Sequence, residues 1–290
     1  MRTVVGDGHE GRRLLIGAVA LLALLVIDIV LVALAMGAHV APRSAVEPAA
    51  STAPAEASSP PSASPTPTPA SPAVATRLIA AIDGTRAWRA TIGTCEEPGA
   101  FEITSDGGAT WAEAGLQVAG PVFALEPSAD GRRGVAVVGD DRCTPVAHRT
   151  FTAAVGWEQH PVQQVGSYIA ADGQLVLAGT PIPPPCDAAA AVTASGGGVV
   201  LCGDGALARN GAGDWVPIAE GVTAVGPADE GVAVAVAGDA SCDGFAVGVV
   251  VAGALQATCS AAVSDAEVAV SAVSGQVWVW AGDTVEVVRL

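Results

Sequence analysis

The side chains in this 290-residue sequence that are capable of chemistry are few, and their spacing narrows what they can do. Three pairs of adjacent carboxylates, Glu96/Glu97, Asp140/Asp141 and Asp229/Glu230, have the chemistry for acid–base hydrolysis. Each pair lies between strand-like runs, where a solvated turn carboxylate is the plainer reading. His148 and His160 have no Cys-x-x-Cys and no carboxylate cage beside them, so no metal centre is implied. The Asp-Gly turns lack the further oxygen ligands of a calcium loop. Neither a Gly-x-Ser-x-Gly elbow nor a phosphate loop is present. Tyr168, the sole tyrosine, sits inside a strand-like run and reads as half-buried packing. These residues assign no catalytic, metal or cofactor site.

The six cysteines, Cys95, Cys143, Cys186, Cys202, Cys242 and Cys259, are better explained as structure in an oxidising compartment. Six cysteines allow about fifteen pairings. Proximity favours Cys186–Cys202 and Cys242–Cys259, which leaves Cys95 for Cys143.

Charge excludes one class of partner. All 13 basic residues are Arg, against 29 Asp and Glu, and the net charge is −16. From Arg77 onward there are 9 Arg and 24 acidic residues. No basic stripe exists to neutralise phosphates, so nucleic-acid binding is excluded.

The elements that would position these residues fall into four parts. Residues 1–13 form a short tail carrying Arg2, Arg12 and Arg13. Residues 14–36 are apolar apart from Asp28, and as a helix they would be roughly 34 Å long, enough to cross a hydrocarbon core of about 30 Å. A cleaved signal peptide is the rival reading, since Ala33-Leu34-Ala35 resembles a cleavage site, although its apolar core would normally be only about 7–15 residues. Asp28 costs roughly 2.5–3.5 kcal/mol in mid-membrane, which the many Leu, Ile and Val offset. It is either a helix-pairing or functional carboxylate or a tolerated charge. Arginines before the helix outnumber those soon after it, which puts the N-terminus in the cytoplasm and the rest outside. Residues 37–75 are rich in Pro, Ala and Ser and cannot bury a core, so an extended, disordered stalk is expected there.

Residues 76–290 repeat a short theme: a turn, an apolar Val-rich run, then Gly or Gly-Asp. Gly134–Asp140, Gly198–Asp204, Gly231–Asp239 and Gly275–Asp283 are its clearest copies. Each follows another apolar run and a turn, and two β-rich runs joined at Asp-Gly read as a hairpin. Most of the intervals match a four-stranded propeller blade of about 40–45 residues. The stretch between Asp140 and Trp215 fits less well, as either one enlarged blade or a short extra one. The expected fold is all-β, a β-propeller of about five, alternatively six, four-stranded blades. The last repeat shows only three strands, so a strand near residues 73–82 is a candidate to complete it, although it also reads as the first strand of blade one.

One motif is specific. Thr104-Ser105-Asp106-Gly107-Gly108-Ala109-Thr110-Trp111 satisfies the Asp-box pattern, with Thr104, Asp106, Gly108, Thr110 and Trp111 at its constrained positions. Asn210–Trp215 keeps the spacing and the Trp, and Thr152–Trp157 keeps only the Trp. On these residues the chain resembles the Asp-box, or BNR-repeat, β-propellers, a group that includes bacterial sialidases, sortilin-type receptors and photosystem II assembly factors. The resemblance implies a propeller fold in which the box is a structural turn away from any active site. A sialidase of this group would need an Arg triad, a Tyr nucleophile with a Glu partner and an early Arg-Ile-Pro signature. Arg-Ile-Pro is absent. The expectation is a membrane-anchored, extracytoplasmic β-propeller that acts as a non-enzymatic binding or assembly module in the cell envelope, with an envelope protein or glycan as its partner. The alternative is a glycan-active hydrolase or glycan-binding protein of the same group.

Overall fold

The computed structural model describes residues 75–161, 165–194, 197–203, 205–263 and 267–290. The tail expected at 1–13, the transmembrane helix expected at 14–36 and nearly all of the linker expected at 37–75 lie outside these described residues. Among the described residues no helix is long and apolar enough to cross a membrane.

Six antiparallel sheets follow one another along the chain. The first holds β1 (Arg77–Ala81), β2 (Ala87–Gly93), β3 (Pro98–Thr104) and β4 (Ala112–Glu113). The second holds β5 (Val122–Pro127), β6 (Gly134–Gly139), β7 (Pro145–Thr150) and β8 (Trp157–His160). A smaller third sheet holds β9 (Tyr168–Ile169), β10 (Leu175–Leu177) and β11 (Thr180–Ile182). The fourth holds β12 (Ala188–Ala194), β13 (Gly197–Cys202), β14 (Gly205–Asn210) and β15 (Val216–Glu220). The fifth holds β16 (Val222–Gly226), β17 (Val232–Ala237), β18 (Phe245–Val251) and β19 (Ala254–Cys259). The sixth holds β20 (Val268–Val273), β21 (Gln276–Ala281) and β22 (Thr284–Arg289).

The first strands of the sheets touch in sequence, β1 to β5, β9, β12, β16 and β20, and β20 returns to β1. All six line one central channel. The architecture is therefore a β-propeller of six blades, the alternative count rather than five, and the group the Thr104–Trp111 motif resembles shares this fold. Two of its blades have three strands among the described residues, where four were expected. β1 pairs with β2, Leu78 opposite Ala90, and so belongs to blade one and does not complete blade six.

Burial explains why the strands read as continuous apolar runs. A blade's inner strands lie between two neighbouring blades and are covered on both faces, whereas its outer strand meets water. β17 and β18 are almost wholly buried, while most of β19 is exposed. Trp88, Trp278 and Phe245 are fully buried, each contributing about 1.5–3 kcal/mol by area. Small residues let the inner strands approach: a Cβ on Gly226 would collide with the carbonyl of Val270 in the next blade. Register shifts sit near the start of β5, β12 and β16, at Val122/Ala124, Ala188/Ala190 and Val222/Ala224. Such bulges increase the local twist.

Five inner strands share one direction. Thr76, just before β1, donates to Glu267, just before β20, at 2.6 Å, and the amide of Ala81 at the end of β1 donates to Ser271 of β20 at 2.9 Å. A parallel bridge joins Ala228 and Ala272 at the other end of blades five and six. These five strands define a starting face and a finishing face. The third blade is reversed. Ser167, which leads into β9, lies 2.9 Å from Thr193 at the end of β12, and Leu177 at the end of β10 packs against Gly198 at the start of β13. β9 therefore begins on the finishing face, counter to its neighbours.

Candidate functional site

The channel enclosed by the inner strands has a volume of about 780 Å³. Its wall is mainly apolar, with Val122, Ala124, Val192, Ala224 and Val270 among the lining residues. Near the starting face it carries an ion pair, Arg77 to Glu267 at 3.5 Å. The amide of Ala75 reaches across that mouth to the carbonyl of Ala189, 3.3 Å away on the blade opposite β1.

Toward the finishing face the channel holds Glu126, Thr193 and Ser167. Thr193 Oγ1 donates to Glu126 Oε1 at 3.4 Å, and the Gly166 amide also donates to this carboxylate. Ser167 Oγ accepts the Ala178 amide at 3.1 Å. Burial pushes the Glu126 carboxyl above the ordinary range, and the bonds from Thr193 and Gly166 oppose the shift. No cation forms an ion pair with Glu126 among the described residues. Sequence reasoning missed this cluster because Glu126 follows Val122-Phe123-Ala124-Leu125 at a strand end and looks like a terminator. The available signal was an acid that continues an apolar run directly, ahead of the Pro127-Ser128 turn.

The structure disperses the carboxylate pairs. Glu96 and Glu97 lie in the β2–β3 loop, where both amides donate to Thr94 Oγ1 at 3.2 and 3.0 Å. Asp140 holds the β6–β7 loop by accepting the Arg142 and Thr144 amides, which keep its carboxyl below the usual range. Asp229 accepts the Glu230 and Ser274 amides on the opposite face. His160 pairs with Ala147, the residue before His148, so the two imidazoles point to opposite sides of their sheet. Burial pushes His148 down. Tyr168 is buried against Phe123, ring centroids 5.6 Å apart, and burial raises its phenol.

All six cysteines are joined, as Cys95–Cys143, Cys186–Cys202 and Cys242–Cys259. Each lies in or beside a loop on the starting face. Cys95–Cys143 links the β2–β3 and β6–β7 loops of adjacent blades.

Thr104–Trp111 forms the β3–β4 turn on the finishing face. Asp106 accepts from Thr104 Oγ1, the Thr110 amide and Thr110 Oγ1 at 2.8, 2.9 and 2.6 Å, which lowers its pKa to about 2. Thr104 Oγ1 accepts the Gly108 amide, and Trp111 Nε1 donates to the Gly108 carbonyl at 3.0 Å. Gly107 and Gly108 both have positive φ, 78° and 87°. Arg89 stacks on Trp111 at 4.0 Å from the ring centre and pairs with Glu102 at 2.8 Å, so the turn is tied to β2 and β3.

The β7–β8 turn reproduces this geometry beyond what its letters promise. Thr150 Oγ1 accepts the Ala154 amide, Thr152 Oγ1 accepts the Gly156 amide and Trp157 Nε1 donates to the Ala154 carbonyl. Thr150, Thr152, Ala154, Gly156 and Trp157 thus occupy the places of Thr104, Asp106, Gly108, Thr110 and Trp111. Sequence comparison credits this stretch with the Trp alone, because a hydroxyl replaces the carboxylate and Ala153 and Ala154 adopt the positive φ that Gly favours.

No protein-family model matches the chain, and no curated protein matches it. Among solved structures it is similar to the GH74 enzyme of Niastella koreensis, at 16% identity and a TM-score of 0.40, over 72% of this chain and 36% of that one. It is also similar to YCF48 bound to D1 peptide, at 13% identity and a TM-score of 0.25, over 74% and 66% of the two chains. The chain thus spans about a third of the length of the GH74 enzyme. These likenesses concern the fold, and the propeller assignment itself rests on the sheet order.

Proposed function

We propose that this protein is a membrane-anchored, extracytoplasmic propeller that works as a non-enzymatic binding or assembly module of the cell envelope. The observation that carries the reading is the placing of all three disulfides on the starting face. Loops fixed covalently lose little further entropy when a partner docks, so preorganised loops favour binding surfaces. Disulfides also suit an oxidising, exported location, in agreement with the apolar segment and stalk read from the sequence.

The starting-face loops carry Glu96, Glu97, Asp140, Asp141, Asp187, Asp239 and Asp243. A partner complementary to this face is a protein or glycan surface without excess negative charge. The test is a photo-crosslinker at Glu96 or Asp141 of the full chain in its native membrane. The expected result is one dominant adduct, absent when the crosslinker is placed at Asp214. Turnover of a glycoside, abolished by substitution of a channel or loop carboxylate, would overturn the reading in favour of the hydrolase.

A further inference from the structure

The central channel contains a built polar site separate from the starting-face loops. Its members come from three blades: Glu126 from β5, Ser167 from the lead into β9 and Thr193 from β12. Its hydrogen bonds run one way. Thr193 gives its proton to the Glu126 carboxylate, so the bond between the two hydroxyls must use the proton of Ser167. Every hydroxyl proton is thereby directed inward along the chain Ser167 to Thr193 to Glu126. With Glu126 ionised, what the cluster leaves free is lone pairs: the remaining carboxylate positions and one on each hydroxyl. In that state the site accepts hydrogen bonds and offers none, which selects for a ligand that donates. Glu126 has no cationic partner among the described residues, and a cation seated beside it would offset the cost that burial places on its charged form.

We infer that the channel is a binding site for a small organic cation, with an ammonium head seated on Glu126, Ser167 and Thr193 and an apolar body lying along the Val- and Ala-lined wall. A primary ammonium offers three donors and one positive charge, the complement of three acceptors and one negative charge. A volume of about 780 Å³ leaves room for the body behind the head and falls within the range of small-molecule sites. The acidic excess of the domain raises the local concentration of cations over anions. A carboxylate ligand would meet lone pairs and like charge, and an alcohol would satisfy one acceptor and leave the charge unmatched.

The test is calorimetric titration of the full chain with hexylammonium, hexan-1-ol and hexanoate. Hexylammonium should bind at least tenfold more tightly than the alcohol, and hexanoate should not bind. Glu126→Gln should weaken hexylammonium at least tenfold and Thr193→Val severalfold. Glu267→Gln, at the other mouth, should leave its affinity within twofold. Melting curves check that each variant is folded, and Glu126→Asp, which keeps the charge, should retain more affinity than the amide. Equal affinity for amine and alcohol, an unchanged Kd in a folded Glu126→Gln, an equal loss in Glu267→Gln or no binding of hexylammonium at all would each overturn the site.

Discussion

On the starting face of the propeller the loops are joined by sulfur, in three disulfides, with Cys95–Cys143 running from one blade to the next. On the finishing face the turns are held by side-chain oxygens. Asp83 accepts the amides of Thr85 and Arg86, Asp130 those of Arg132 and Arg133, and Asp106 that of Thr110, while Thr150 and Thr152 play the same part in the β7–β8 turn. Asp83 and Asp130 are also paired with Arg86 and Arg133, each at 2.7 Å. The difference follows from loop shape. A turn carboxylate ties amides only two to four residues further along the same turn, whereas each disulfide joins residues from separate segments of the chain. The starting face alone depends on redox state, while the finishing face relies on its side-chain oxygens, so reduction and acid should loosen different faces first.

Reduction should have the largest effect. Closing loops of 16 and 17 residues is worth about 3 kcal/mol each, and the 48-residue loop about 4 kcal/mol. Together these approach the whole stability of an ordinary domain. Dithiothreitol should therefore abolish cooperative thermal unfolding, and Cys143→Ser alone should lower the urea midpoint. Hydrogen exchange in Cys143→Ser should quicken first in the β2–β3 and β6–β7 loops; loosening that starts on the finishing face would break the comparison.

Acid comes next and acts first on the opposite face. Asp106 and Asp130 each have a pKa lowered to about 2 from an ordinary value near 3.8. A depressed folded pKa gives stability that is complete above the unfolded value and is lost as pH falls through the folded one. Stability should hold down to about pH 4 and decline toward pH 2. Exchange should quicken most at the β1–β2, β3–β4 and β5–β6 turns. Asp140 and Asp239 on the starting face are also depressed, but their loops keep the disulfides when protonated.

Single turn substitutions rank below this. Asp106→Ala should lower the urea midpoint more than Thr152→Ala, because the carboxylate accepts three bonds and the hydroxyl accepts one amide. Thr152→Ala should cost about 0.5–1.5 kcal/mol. An equal effect from both would mean that the additional bonds to Asp106 contribute nothing to its turn. The smallest change has the other sign: Ala153 is exposed at φ 54°, and Ala153→Gly should stabilise by roughly 0.5 kcal/mol, visible as a small rise in Tm.

Much of this was legible in the sequence where information is local. Val-rich runs stopped by Gly are strands, Asp172-Gly173 does turn β9 into β10, and the cysteines near in sequence are paired. The sense of the third blade was not legible, because Tyr168–Gly173 followed by Leu175–Leu177 makes the same hairpin whichever face it opens toward. Its direction is fixed by Ser167 meeting Thr193 and by Leu177 meeting Gly198, contacts between blades that no local pattern encodes. Blade number suffered for the same reason, since a three-stranded sheet compresses the interval used to count. The Glu126 cluster was hidden too, being assembled from residues 126, 167 and 193, none of which carries a motif.

Strand parity accounts for the reversed blade. An even number of strands returns the chain to the face it left, so blades one, two, four and five each pass it on in the same sense. Three strands do not. Had β9 run with its neighbours, β11 would have ended on the finishing face and every later blade would have been laid upside down. By running the other way, β9 and its two successors bring the chain to Cys186 on the starting face, ready for β12. The sixth sheet is also odd, but no described sheet follows it, so its parity inverts none of the described blades. Growth or loss inside this ring is therefore constrained to pairs of strands, and an insertion of one strand between β12 and β19 would have to be matched by a second or by another reversal.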